Sequence, residues 1–340
     1  MIGKTLSFHF LLLFLATNIC VSSRAQDQKP TQPAEQGVDV VRVNTTLVTV
    51  PVSVMDHNGR FIADLKQDQF HLFEDGVPQQ IAFFENAEQP FTLALMLDVS
   101  DSTMAQLAQI KSAAKAFIGE LRADDRVMVV TFDKRITVLC EPTSDRQLLE
   151  KAISVAQSGG GTSLYGAIDL VIREHLKRIR GRKAIILFTD GVDTTSKEAT
   201  YDSTLRMAGE LDALIYTVRY NTYNYVAVAP TASVVDPIQG PAQVATSRGE
   251  PLDVAYKRAG NYLSLLSDST AGRLYNATSL DRLKEVFAKI AAELREQYSL
   301  GFYPSNKSSS KSAHRLNVNV SVPNIAVRYR RSFVYSTSNQ

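Results

Sequence analysis

Thr92-Leu93-Ala94-Leu95-Met96-Leu97-Asp98-Val99-Ser100-Asp101-Ser102 is the stretch on which the reading of the fold turns. Thr92 to Leu97 is a continuous apolar run with no polar alternation. Such a run predicts a strand buried on both faces, as in a parallel sheet covered by helices on both sides. It ends in a string of oxygen-bearing side chains. Open parallel sheets bind their ligands at the carboxyl ends of their strands, so Asp98, Ser100 and Ser102 stand where function is expected.

Outward from this stretch the chain alternates. Leu107, Ile110, Ala114, Phe117 and Leu121 recur at helical spacing, and Val127 to Phe132 reads as a strand. Leu164 to Ile179 is helical, Ala184 to Thr189 and Ala213 to Val218 are strands, and Leu280 to Leu294 is a last amphipathic helix. The expectation over residues 90–296 is therefore an α/β unit with a doubly wound, mostly parallel sheet. The flanks differ. In residues 38–88, Val48, Val50, Val52 and Val54 alternate with polar residues or proline, and Asp75-Gly76 between two apolar runs signals a hairpin. Pro51 suggests that its strand lies at an edge or a bulge. In residues 297–340, Leu316, Val318, Val320 and Val322 alternate in the same way. Each flank is small for a stable core. They are expected to pack together as one small, discontinuous β-rich domain, with two independent extensions as the alternative.

At the amino end, Lys4, the apolar run Phe8 to Ala16 and the small-x-small site Ser23-Arg24-Ala25 have the layout of a secretory signal peptide over residues 1–25. Residues 26–37, rich in Gln and Pro, read as a disordered leader. Cleavage would remove Lys4 and Arg24, taking the 37 basic residues of the 340-residue chain to 35, equal to the acidic count of 35. A neutral mature chain gives no support for nucleic-acid binding. Cys140 would remain alone, so no intrachain disulfide is expected. The reading is an exported protein, periplasmic or extracellular, without a membrane span after cleavage.

Two further patches lie where loops reach the same sheet edge: Gly159-Gly160-Gly161-Thr162-Ser163 before a helix, and Thr189-Asp190-Gly191 after an apolar strand. With Asp98, Ser100 and Ser102 they resemble the von Willebrand factor type A (vWA) domain. That family carries a metal-ion-dependent adhesion site written Asp-x-Ser-x-Ser with a distant Thr and a distant Asp, here matched by Thr162 and Asp190. The flanks also resemble those of the vWA-related proteins of acidobacteria, through Asp68-Gln69-Phe70, Glu74-Asp75-Gly76 and Tyr298-Ser299-Leu300-Gly301-Phe302-Tyr303-Pro304. The resemblance implies a divalent cation held by Asp98, Ser100, Ser102, Thr162 and Asp190. It also implies a protein partner that presents an Asp or Glu carboxylate, in adhesion or assembly. The residue types suit such an ion: Mg²⁺ takes oxygen ligands, with Mn²⁺ or Ca²⁺ as alternatives. Hydroxyl ligands leave it much of its positive charge. Asp101, Asp133 and Asp193 read as solvated loop carboxylates and turn formers, not as ligands.

No catalytic residue is assigned. An aspartyl phosphotransferase would use Asp98 as nucleophile but needs a second carboxylate two residues on, where Ser100 stands. A structural envelope scaffold with a dormant metal site is the other alternative. No zinc site is indicated, because His57, His71, His175 and His314 are scattered. Finally, residues 221–257 form an unusually long connection for an α/β unit. They are expected to border the metal edge, with Tyr220, Tyr223 and Tyr225 as partner contacts.

Overall fold

A computed structural model describes residues 47–86, 89–220, 222–223, 245–277, 280–304 and 313–333. The expected signal peptide, the leader, Tyr225 and the centre of the long connection lie outside the described residues. No described helix is long and apolar enough to cross a membrane.

Four strands precede the decisive run: β1 (Val48–Asp56), β2 (Phe70–Glu74), β3 (Val77–Gln79) and β4 (Ile81–Glu85). The run itself is β5 (Phe91–Asp98). It is followed by α1 (Leu107–Glu120), β6 (Arg126–Phe132), β7 (Ile136–Thr143), α2 (Arg146–Val155), α3 (Leu164–Leu170), β8 (Arg182–Thr189), α4 (Tyr201–Glu210) and β9 (Ala213–Tyr220). Then come α5 (Leu252–Asp268), β10 (Leu274–Ala277) and α6 (Leu280–Arg295). The chain closes with β11 (Tyr298–Phe302), β12 (His314–Val320), β13 (Ile325–Tyr329) and β14 (Ser332–Phe333).

The central sheet has the order β10-β9-β8-β5-β6-β7. β5 pairs in parallel with β6 and β8, and only β7 at the edge runs antiparallel. This is the expected doubly wound, mostly parallel α/β fold. The apolar run of β5 is explained by its two covers. Leu93, Leu95 and Leu97 face a cluster built from α1, α2 and α6. Ala94 and Met96 face one built from α3, α4 and α5. All five are 0% exposed, so neither face of the strand has a place for a polar residue. Burying a Leu completely is worth about 1.5–3 kcal/mol relative to exposing it. The strand is thus fixed by its own composition.

The flanking strands form two four-stranded sheets, β13-β1-β11-β4 and β14-β12-β2-β3. Their inner faces share one core that includes Val48, Val50, Val52, Val54, Phe70, Leu72, Tyr298, Leu300, Leu316 and Val318. The Tyr298 hydroxyl, buried there, donates to the Ile62 carbonyl and accepts from the Leu65 N–H.

The structure corrects two local expectations and adds two edge strands. β1 is an interior strand, not an edge. Pro51 is tolerated because β11 pairs with Val48–Val52 and β13 with Val52–Asp56, so Pro51 has a partner on one side only. The edge strands β7 and β10 carry too little alternation to be seen in advance. The long connection is shorter than expected, because α5 begins at Leu252 and takes up residues 252–257. Leu252, Ala255, Tyr256 and Ala259 recur at helical spacing on its buried side, a period masked by the proline-rich sequence before it.

Candidate metal site

The carboxyl ends of β5 and β8 lie side by side, so Asp98 and Asp190 meet there. Asp98 is 0% and Asp190 1% exposed. Each carboxylate is held by neutral donors. The Ser100 N–H donates to Asp98 Oδ1 at 3.0 Å and the Thr189 hydroxyl to Asp98 Oδ2 at 2.6 Å. The Val192 N–H donates to Asp190 Oδ1 at 2.9 Å. Asp190 Oδ2 accepts from Ser102 at 2.9 Å, Thr222 at 2.6 Å and Tyr256 at 3.3 Å. Ser100 Oγ lies 3.0 Å from Ser102 Oγ, which completes a chain from β5 to Asp190.

The glycine loop docks on the same edge. The Gly159 N–H donates to the Val99 carbonyl, and Ser100 forms a parallel bridge with Gly159. Gly161 adopts φ 73°, and a Cβ there would come within 2.7 Å of Thr195. Glycine is therefore required for the loop to close against residues 194–195. Thr162 follows, buried, with its N–H donated to Thr194 Oγ1 at 2.8 Å and its carbonyl accepting from Thr194 and Thr195. The hydrogen bonds thus join Ser100, Ser102 and Asp190 directly and Asp98 to Ser100. They hold Thr162 by its backbone on the adjacent loop.

The electrostatics follow from this construction. Burial first, and the Asp190 charge second, push the Asp98 carboxyl up to about 7. The hydroxyl and amide donors oppose that shift without cancelling it. Burial, then Asp190, also drives the Tyr256 phenol well above its ordinary value. The donor set is all oxygen, negatively charged and drawn from short side chains, which is the chemistry that suits a hard divalent cation.

The roles of several supporting residues carry no sequence signal. Thr189 is quoted with Asp190, but nothing in the sequence assigns it to Asp98. Thr222 and Tyr256 come from the long connection and the helix after it, and their hydroxyls stand 2.5 Å apart. Among the tyrosines expected to meet a partner, Tyr220 is corrected. It is 6% exposed and packs in the core with Phe188, with ring centroids 6.2 Å apart. It shares a strand face with Tyr216 and Val218, so the two-residue period would have placed it inward. Tyr223 packs edge-on against Tyr256 at 5.4 Å. Asp101 is exposed, as expected. Asp133 and Asp193, expected to be solvated, are 4% and 2% exposed. Each closes a local turn, Asp133 through the Arg135 N–H and Asp193 through the Ser196 N–H, and Asp193 also accepts from the distant Tyr165 N–H in α3. Arg248 adds an ion pair to Asp193 at 3.2 Å and donates to the carbonyls of Thr194 and Ser196.

The profile of the von Willebrand factor type A domain family matches residues 93–192. An uncharacterised protein of Synechocystis sp. is 38% identical over 106 residues, 30% of this chain and 25% of that protein. A UPF0353 protein of Mycobacterium sp. is 24% identical over 219 residues, 59% of each. The chain therefore spans a quarter of the first of these relatives, 25%, and 59% of the second. A solved von Willebrand factor type A protein of Catenulispora acidiphila superposes with a TM-score of 0.46 at 10% identity, covering 87% of this chain and 76% of that one.

Proposed function

Because the chain carries a von Willebrand factor type A domain, with a family match over residues 93–192, we propose that its sheet edge is a metal-dependent docking site for another protein. The observation that carries this reading is the pair of buried carboxylates, Asp98 and Asp190, held by hydroxyls and backbone N–H groups, which are neutral donors. Asp98, Ser100, Ser102, Thr162 and Asp190 would hold the ion, Mg²⁺ first and Mn²⁺ or Ca²⁺ as substitutes. When bound, it supplies a positive, oxygen-seeking centre for a carboxylate from a partner's Asp or Glu.

The chain's own residues prepare that centre. Thr189 and the Ser100 N–H fix both oxygens of Asp98. Ser102, Thr222 and Tyr256 orient Asp190 from three directions. Ser100, where a phosphotransferase needs its second carboxylate, supports a binding role over a nucleophilic one. With the signal-peptide layout at residues 1–25, the reading is an exported module acting in the periplasm or outside the cell.

Calorimetry on the full chain tests it. Mg²⁺ or Mn²⁺ should bind, and Asp98→Ala and Asp190→Ala should each remove that binding. Unaltered binding in both variants would sink the reading.

A further inference from the structure

A second group of ligating side chains lies in the outer β layer, away from the Asp98 edge in both sequence and sheet. β2 pairs antiparallel with β12, in a register that sets Leu316 opposite Glu74. The hairpin turn after β2 then brings Asp75 beside the start of β12. Asp75 adopts φ 50°, its N–H donates to the Arg315 carbonyl, and its Oδ1 accepts from the Arg315 N–H at 2.8 Å. Those two bonds clamp the turn and aim the other oxygen at His314. Asp75 Oδ2 lies 2.8 Å and Glu74 Oε1 3.2 Å from the same His314 nitrogen, Nδ1. One ligand atom from each of the three falls within 4.8 Å of the others.

We infer that Glu74 Oε1, Asp75 Oδ2 and His314 Nδ1 form a second metal site, suited to a zinc-type dication. The geometry supports this in three ways. First, a single ring nitrogen faces two carboxylate oxygens at once. Its one proton makes one good hydrogen bond, whereas a cation in that position bonds all three atoms. Second, ligand atoms of a tetrahedral ion with bonds of about 2.0–2.2 Å stand about 3.3–3.6 Å apart. The 2.8 and 3.2 Å separations approach that spacing and need only a small opening. Third, the site is built and accessible. The side chains of Glu74 and His314 are 3% and 4% exposed, whereas that of Asp75 is 51% exposed and gives ions a route from solvent. Phe333, tilted against the imidazole at 5.5 Å between centroids, supplies the apolar wall common beside metal ligands.

The chemistry differs from that of the Asp98 edge. An imidazole with two carboxylates is a borderline nitrogen and oxygen set, which favours Zn²⁺ or Co²⁺ over Mg²⁺. Three protein ligands leave a fourth position for water. The bound ion would tie the β2–β3 hairpin to β12, so its effect is on the stability of the outer layer.

The test uses the full chain, stripped of metal and then kept in excess Mg²⁺ to occupy the Asp98 edge. Equilibrium dialysis with elemental analysis should find about one Zn²⁺ per chain, and Zn²⁺ at about 100 times its Kd should raise the unfolding midpoint by about 4 °C. Asp75→Asn retains an amide oxygen for the Arg315 N–H and a residue type that tolerates the left-handed turn. It should weaken Zn²⁺ binding by more than about tenfold while leaving the metal-free midpoint nearly unchanged. Co²⁺ added in place of Zn²⁺ should show the visible absorption of a four-coordinate ion, lost in Asp75→Asn. Repeating the titration on Asp98→Asn separates the two sites, since that change should leave this Zn²⁺ intact. Failure to bind Zn²⁺, or equal Zn²⁺ binding by the wild type and Asp75→Asn, would overturn the inference whatever happens at the Asp98 edge.

Discussion

Asp98 and Asp190 at the carboxyl edge of the parallel sheet, and Glu74 and Asp75 at the hairpin of the outer layer, are two pairs of neighbouring acids held by different chemistry. The first pair meets hydroxyls and backbone amides. The second meets an imidazole as well as an amide. Carboxyl behaviour follows. Burial and Asp190 push Asp98 up, whereas the Arg315 N–H first, and then His314, hold the exposed Asp75 carboxyl below its ordinary value. Neutral donors satisfy the geometry of a buried carboxylate but leave its charge standing. A group that can carry positive charge answers both needs within the chain. A pair of the first kind is therefore suited to a cation from solution, whereas a pair of the second kind already has a partner within the chain.

The sharpest way to break this contrast is to remove charge from the first pair. Asp98→Ala should lower Mg²⁺ affinity by well over the 10–100-fold that loss of an outer-shell partner costs. Calorimetry reads this directly, and the metal-free protein should remain folded, since Asp98 lies at the sheet's end and not in its core.

A second effect is on pH. The Asp98 carboxyl titrates higher in the folded chain than in the unfolded one, so the folded state holds the extra proton between about pH 4 and 7. Stability of the metal-free protein should therefore fall as pH rises through that window and level off above it. Denaturant melts at several pH values check this, and Asp98→Asn should flatten the slope. A slope unchanged in Asp98→Asn would mean that some other group carries it.

Smaller still is the effect of Tyr256→Phe, which removes one of three hydroxyls on Asp190 Oδ2. Mg²⁺ affinity should drop about tenfold, with little change in the metal-free midpoint. Equal affinity would show that Thr222 and Ser102 suffice. The smallest change is expected at Asp75. Its lowered carboxyl favours the folded state above the ordinary carboxylate range, and that contribution is lost as pH falls through the lowered value. Acid melts of Asp75→Asn should show a slightly shallower loss of stability than those of the wild type.

How much of this was legible depended on where each contact is made. The β5 run could be read because burial on two faces leaves a continuous apolar signature at Leu93 to Leu97. The Asp98, Ser100 and Ser102 spacing is local, and Thr162 and Asp190 are flagged by the glycines beside them. Thr189 stands in the patch with Asp190, but its own role was not legible, because its bond to Asp98 arises only when β8 lies next to β5. Thr222 and Tyr256 were hidden in the same way. Their convergence on Asp190 depends on how the chain folds back after β9. In the sequence His314 is one of several scattered histidines, and only the β2–β12 register brings it to residues 239 and 240 positions away. The Pro51 expectation failed for a related reason. Edge or interior status belongs to a sheet's neighbours and is not written in one strand.

One pairing has a mechanical consequence. Glu85, the last residue of β4, lies opposite Ser299 near the start of β11. The chain leaves the outer layer and returns to it one strand spacing apart, about 4.8 Å. Both crossings sit at the base of the parallel sheet, where Arg182 fastens the Gln89 and Leu294 carbonyls together. The acid pair sits at the other end of β5, about 23 Å away along the strand at about 3.3 Å per residue. A pull applied at that far edge therefore reaches the outer layer through two adjacent covalent tethers acting side by side. The two tethers share that load with the side-chain links between the layers, Arg328 to Glu293 and Arg330 to the Leu211 carbonyl.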